Sequence, residues 1–261
     1  LEIDQSQQFG QGTEPGDGTT ADPTGEAALV QLVIRDPNNS TTNIRVPDAT
    51  RFLQYTGGDH VAIGGTSGAD TIIGGIGDDS LYGRDGNDRI EGGDGADHIE
   101  GGAGDDIITD LSGPDVIEGG PGNDAISSGN EEDIIFGDAG SDFIVNQSEF
   151  GEIFGGPGND FIFDGYFLGH IRGGQGDDWM ENLGGGEDLF QADMGAAPEA
   201  GEPSHKGNDV MVSHGGNNDA DMENGDDIVV NGPGTDRVEG QLGFDWISFQ
   251  NDTEGVDLDI D

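Results

Sequence analysis

The chain has 261 residues, and its 8 Lys plus Arg stand against 55 Asp plus Glu, a formal net charge of −47. This balance excludes nucleic acid and anionic membrane as electrostatic partners, since both need a basic face, and the absence of Cys excludes disulfides and thiolate zinc sites. Only 31% of residues are hydrophobic and 51 are Gly, so carboxylate repulsion must be cancelled by cations or a basic partner before the chain can become compact.

In chain order, residues 1–25 are rich in Gly, Thr, Gln, Asp and Pro and read as a flexible linker. The opening LEIDQSQQFG carries neither Met nor a signal-peptide pattern, as expected of a piece of a longer secreted protein. No apolar run approaches the ~20 residues of a transmembrane helix. Residues 26–64 hold AALVQLVIR and the alternating HVAI, expected as short strands that cap the first coil of a repeat array beginning at Gly65.

From Gly65 to Glu181 the sequence repeats every nine residues, thirteen times without a break: GGIGDDSLY starts at Gly74, GRDGNDRIE at Gly83, GGDGADHIE at Gly92 and GGAGDDIIT at Gly101. Position eight is always apolar, from Ile72 and Leu81 to Ile171 and Met180. Position six is Asp in eleven of the thirteen units, with Gly151 and Gly169 as exceptions. Six Gly-rich residues make a turn, and three residues centred on a β-branched one make a short strand with position eight pointing inward. Two units close one coil, and stacked coils give two parallel sheets around a thin core. Burying one such side chain contributes roughly 1.5–3 kcal/mol, less than the entropy lost in ordering nine residues.

The turns supply the missing stabilisation. Glycine lets carbonyl groups face the gap between stacked turns, and the position-six Asp of each turn adds a carboxylate. A flexible cage of hard oxygens suits Ca²⁺ better than Mg²⁺. Each ion is expected between turns eighteen residues apart. One side carries Asp70, Asp88, Asp106, Asp124, Asp142, Asp160 and Asp178, all with Gly at position four. The other carries Asp79, Asp97, Asp115 and Asp133 before the two glycines, through turns GGIGDD, GGDGAD, DLSGPD, SGNEED, NQSEFG and DGYFLG. Cations are expected there between Asp79 and Asp97, with the row thinning at Asp115 and lapsing beyond it.

These units resemble the RTX, or hemolysin-type, calcium-binding nonapeptide repeat GGxGxDxUx, strongly over 65–181 and more loosely over 204–248. The resemblance implies an all-β fold, a right-handed parallel β-roll loaded with roughly 7–10 calcium ions. It also implies a bacterial protein exported by a type I secretion apparatus that folds outside the cell. The run TGGDHVAIGGTSGADTIIGGIGDDSLYG, and later GPGTDRVEGQLGFDWISF, are similar to stretches following the animal-type haem peroxidase domain of some large bacterial RTX proteins. No haem-binding region is recognisable.

The decayed turns gain Phe150, Tyr166, Phe167 and Leu168, and outward strand positions turn apolar at Phe136, Phe143, Phe154, Phe161, Phe163 and Trp179. Apolar surface on this scale is expected either to be covered by another segment of the chain or to seat a neighbouring domain. After Glu181 the register slips by one in LGGGEDLFQ, so the main roll is expected over 65–191. Residues 192–203 interrupt as a loop. A second short block occupies 204–248, with Asp209, Asp227 and Asp245 on one side and Asn218 and Asp236 on the other. Residues 249–261 end in the alternating GVDLDID, expected as a capping strand.

Catalytic signatures are missing from the pattern. There is no HExxH pair, no GxSxG elbow and no P-loop Lys, and in DGNDR Arg89 stands where an EF-hand needs an oxygen ligand. Three functions fit the residues: a calcium-dependent folding module without catalysis of its own, an adhesion module using the apolar positions, and an accessory region of a secreted peroxidase or hydrolase.

Overall fold

The computed structural model describes residues 28–29, 35–36, 39–43, 51–55, 60–147, 150–165, 169–184, 188–192, 207–240 and 243–249. The expected linker over 1–25, the interruption beyond Ala192, the segment GVDLDID, and Tyr166, Phe167 and Leu168 lie outside these residues.

The described chain is all-β and winds as a solenoid of parallel strands. The first sheet has eleven strands, in hydrogen-bonded order Ala28–Leu29, Val61–Gly64, Ser80–Asp85, His98–Ala103, Val116–Pro121, Glu132–Ala139, Phe150–Pro157, His170–Gln175, Leu189–Gln191, Asp219–Asp221 and Arg237–Glu239. The second also has eleven: Arg51–Gln54, Asp70–Ile76, Arg89–Asp94, Ile107–Thr109, Ala125–Ser127, Phe143–Asn146, Phe161–Asp164, Trp179–Asn182, Val210–Ser213, Ile228–Asn231 and Trp246–Phe249. The chain alternates between the sheets, so each strand pairs with the one a full coil away. A separate antiparallel pair joins Arg35–Asp36 to Asn39–Asn43.

Register follows the apolar column. On the second sheet Ile72 pairs with Ile90, Ile108 with Ile126, Ile144 with Ile162, and Met180 with Met211. On the first, Leu81 pairs with Ile99, Ile117 with Ile135, Ile153 with Ile171, and Ile171 with Phe190. These side chains are buried and form one continuous cluster. Their neighbours at positions seven and nine face outward, as strand alternation requires. A one-residue slip would expose the whole column, so the buried file holds the turns in register as well.

Most of the regular turns take left-handed backbone at position two. Gly102 has φ of 102°, and a Cβ there would collide with the Arg84 carbonyl of the preceding coil. Arg84 and Asp138 adopt the same conformation without being glycine, with φ of 86° and 67°.

The N-terminal segment supplies the first strand of each sheet: Ala28 pairs with Val61, and Leu53 with Ile72. The two repeat blocks of the sequence share one roll. Trp179 pairs with Val210 across 31 residues, and the outermost described strands, Arg237–Glu239 and Trp246–Phe249, continue the same two sheets. The slip after Glu181 is absorbed where His170 pairs with Leu189, nineteen residues on.

Candidate metal centre

Each turn leads into a strand, so the position-six Asp residues stack along the two edges of the roll. On the edge leading into the second sheet, each Asp backbone N–H donates to Oδ1 of the Asp one coil on: Asp88 to Asp106 at 2.7 Å, Asp106 to Asp124, Asp124 to Asp142, Asp142 to Asp160 and Asp160 to Asp178 at 2.8 Å. Asp70 opens the column by donating to Asp88 at 2.6 Å. The column crosses the interruption, with Asp178 donating to Asp209 at 2.7 Å and Asp209 to Asp227 at 2.8 Å. It ends with Asp227 donating to Asp245 at 3.2 Å, where Asp245 is half-buried.

This hydrogen bond uses one carboxylate oxygen. The second oxygens of Asp88, Asp106, Asp124, Asp142 and Asp160 are buried and accept no hydrogen bond. A buried carboxylate oxygen without a partner carries a full desolvation penalty. These oxygens lie beside the position-one glycine of their own turn. A Cβ built on Gly119 would stand 2.6 Å from Asp124 Oδ2 and 2.8 Å from the Gly137 carbonyl oxygen of the next coil. The space that glycine vacates is therefore walled by a carboxylate oxygen and a carbonyl oxygen. The nearest polar atoms facing it are oxygens, which fits calcium.

Burial raises the carboxyl pKa values in the cation-free chain. Desolvation pushes Asp106, Asp124 and Asp142 up to about 7, assisted by neighbouring carboxylates and opposed by the backbone hydrogen bond each accepts. Burial lifts Asp160 to about 6 against its own backbone hydrogen bond. Each would have to hold a proton or meet a cation.

The opposite edge starts in the same way. Val61 donates to Asp79 Oδ1 at 2.9 Å, Asp79 to Asp97 at 2.8 Å, Asp97 to Asp115 at 2.7 Å and Asp115 to Asp133 at 3.1 Å. Asp133, which lies past the expected lapse of the row, is buried with a second oxygen lacking a partner. Gly151 and Gly169 then break the acid column, and Gly169 N–H donates to Asp188 Oδ1 at 2.9 Å. Asp188 thus occupies the same place in its turn, nineteen residues on because of the register slip, as the sixth residue of the slipped unit LGGGEDLFQ. At Asp236, the backbone and side-chain nitrogens of Asn218 donate to Oδ1 at 2.9 and 3.0 Å.

Below Asp97 the position-one residues of this edge stop being glycine. Gly74 and Gly92 give way to Asp110, Ser128, Asn146, Asp164, Asn182, Ser213 and Asn231, all buried. They form a polar ladder inside the turns. Ser128 Oγ donates to Asn146 Oδ1 at 2.7 Å, and Asn146 Nδ2 to Asp164 Oδ1 at 3.0 Å. Burial raises Asp164 to about 7 against the hydrogen bond from Asn146. Where this edge loses its position-six acids, side-chain hydrogen bonds occupy the interior instead. Position one, sorted by side in the same manner as position six, carries the signal of this column in the sequence.

The aromatic positions divide between the two sheets. Phe136 stacks on Phe154 at 4.8 Å on the first sheet, with Arg172 4.7 Å above the Phe154 ring. Phe143, Phe161 and Trp179 stack at 5.3 and 6.0 Å on the second, where Phe163 lies between Val145 and Glu181. The apolar positions therefore form two stripes, one on each sheet. Phe143 and Trp179 are 49% and 39% exposed, so the second-sheet stripe is open to solvent.

A solenoid of nine-residue units, with acidic turns stacked in register and oxygen-lined pockets between them, defines a calcium-binding β-roll. The RTX calcium-binding nonapeptide repeat matches four stretches, residues 64–99, 82–109, 110–144 and 154–188, and these stretches are repeats of that family. RTX repeats bind Ca²⁺, are generally non-catalytic and typically occur in secreted proteins. Comparison with curated proteins returned no match. Among the described residues, no helix is long and apolar enough to cross a membrane.

Proposed function

We propose that the chain is a calcium-dependent folding module, without catalysis of its own, in a larger exported protein. Calcium held between stacked turns neutralises the acid columns and creates the roll, which would keep the chain unfolded where calcium is scarce and fold it outside the cell. Export through a type I secretion apparatus belongs to this reading by family resemblance. The position-six residues Asp70, Asp88, Asp106, Asp124, Asp142, Asp160, Asp178, Asp209, Asp227 and Asp245 would hold ions on one edge. Asp79, Asp97 and Asp115 would do so on the other, with Asp236 as an outlying ligand. The observation that carries the reading is the file of buried carboxylate oxygens left without hydrogen-bond donors from Asp88 to Asp160.

Equilibrium dialysis with metal analysis tests it. Roughly 7–10 calcium ions per chain are expected, unfilled by Mg²⁺ in excess because that ion dehydrates reluctantly. Fewer than about four calcium ions would refute the proposed rows.

The second-sheet stripe of Phe143, Phe161 and Trp179 supports a further role as the seat of a neighbouring domain. Replacing Phe143 and Phe161 by Ser should leave the calcium-loaded sheet signal intact and abolish association with the adjoining domain. Loss of the sheet signal instead would make the stripe structural.

A further inference from the structure

The turn 110–115, DLSGPD, departs from its neighbours at one point. In regular turns the space beside the position-one glycine is faced by the carbonyl oxygen of the next coil: Gly101 faces Gly119, Gly119 faces Gly137, and Gly137 faces Gly155. At Gly92 the neighbour is the side chain of Asp110. A Cβ on Gly92 would collide with Asp110 Oδ1 and stand 2.6 Å from Asp97 Oδ2. A carboxylate has replaced a carbonyl oxygen in the wall of the pocket. Gly93 N–H donates to Asp110 Oδ1 at 3.1 Å and holds it there.

The result is a cluster of three buried acids. Ligand oxygens of Asp97, Asp110 and Asp115 lie within 4.8 Å of one another. The three residues are 3%, 6% and 1% exposed, and Oδ2 of each is buried without a hydrogen-bond partner. Asp110 is thus an almost wholly buried carboxylate whose Oδ1 stands with the partnerless Asp97 Oδ2 at the Gly92 pocket. The neighbouring regular pockets pair position-six carboxylates with carbonyl groups. On the far side of this turn the polar ladder begins with Ser128.

We propose that Asp97, Asp110 and Asp115 form a three-carboxylate cation site, where the glycine-lined turns of this edge end, that binds its ion more tightly than the two-carboxylate pockets elsewhere. The inference rests on the calcium reading of the rows and adds Asp110 as a side-chain ligand outside the repeat's position-six pattern. Replacing a neutral oxygen by a charged one raises affinity for a hard cation, since ligand charge count sets calcium affinity. The gain is larger for a trivalent ion, so terbium is the probe.

Crystals of the chain grown with calcium and soaked in terbium are expected to show an anomalous peak between Asp97 and Asp115, with an Asp110 oxygen at about 2.3–2.6 Å. In solution, Asp110→Asn keeps the acceptor for Gly93 N–H but removes the charge. It is expected to weaken the tightest terbium site at least ~10-fold and leave the other sites unchanged. Ions between Asp88 and Asp106 with none touching Asp110 would overturn this inference alone. No ions between any pair of turns would overturn the calcium reading as well. Should Asp110→Asn fail to fold with calcium, the diffraction experiment on the native chain decides.

Discussion

Stripped of divalent cations at pH 8, the chain is expected to lose its sheet circular dichroism in one cooperative step, and to regain it on addition of calcium but not magnesium. The apolar core is a single file, one buried side chain per unit on each sheet. Against it stand two columns of buried carboxylates, in a chain whose formal charge is −47. Ionised and unpaired, each buried carboxylate costs several kcal/mol. A cation shared by adjacent turns converts that penalty into attraction and satisfies the second oxygens of Asp88, Asp106, Asp124, Asp142 and Asp160. Binding free energy then becomes folding free energy. A chelated chain that kept its sheet signal at pH 8 would show that the roll does not depend on the ions.

Acid is expected to replace calcium in part. Burial lifts Asp97, Asp106, Asp124 and Asp142 to about 7, and Asp79, Asp133 and Asp160 to about 6, from an unfolded value of 3.8. A carboxyl whose folded pKa is raised binds its proton more readily in the roll than in the coil. The stability it contributes is therefore complete below its unfolded pKa and is lost as pH climbs through the folded value. For the cation-free chain that window runs from about 4 to 7. Circular dichroism in chelator should show coil at pH 8 and a growing sheet signal as pH falls towards about 4.5. A signal independent of pH across this window would mean that the columns do not govern folding.

The roll is legible in the sequence because its two constraints are strictly periodic. A buried residue every nine positions sets the strands, and an Asp six positions into each unit sets the columns. Whatever breaks the period stays hidden. Asp188 is found only by following the one-residue slip into LGGGEDLFQ, and Asp209 lies 31 residues beyond Asp178, so only strand pairing shows that it continues the same column. Asp110 is hidden for another reason. Its turn looks merely degenerate, because an Asp at position one reads as a glycine lost rather than a ligand gained. The polar residues from Ser128 to Asn231 escape notice in the same way, since their meaning lies in stacking across coils. The aromatic positions are legible as outward-facing, but their division between two sheets depends on which unit lies on which side.

The two edges of the roll are unlike each other, and this shapes how it would come apart. From Asp88 to Asp160 one edge joins its Asp-to-Asp hydrogen bonds to the proposed ions, while the opposite edge gives way below Asp115 to hydrogen-bonded rungs such as Ser128–Asn146–Asp164. In that stretch the molecule resembles a book with metal clasps on its fore-edge and a stitched spine. Once the clasps spring, the stitching alone would not hold the pages, and the whole book would open together. Nearer the front, from Asp79 to Asp115, both margins would be clasped, and the three-acid cluster of Asp97, Asp110 and Asp115 would be the last clasp to open.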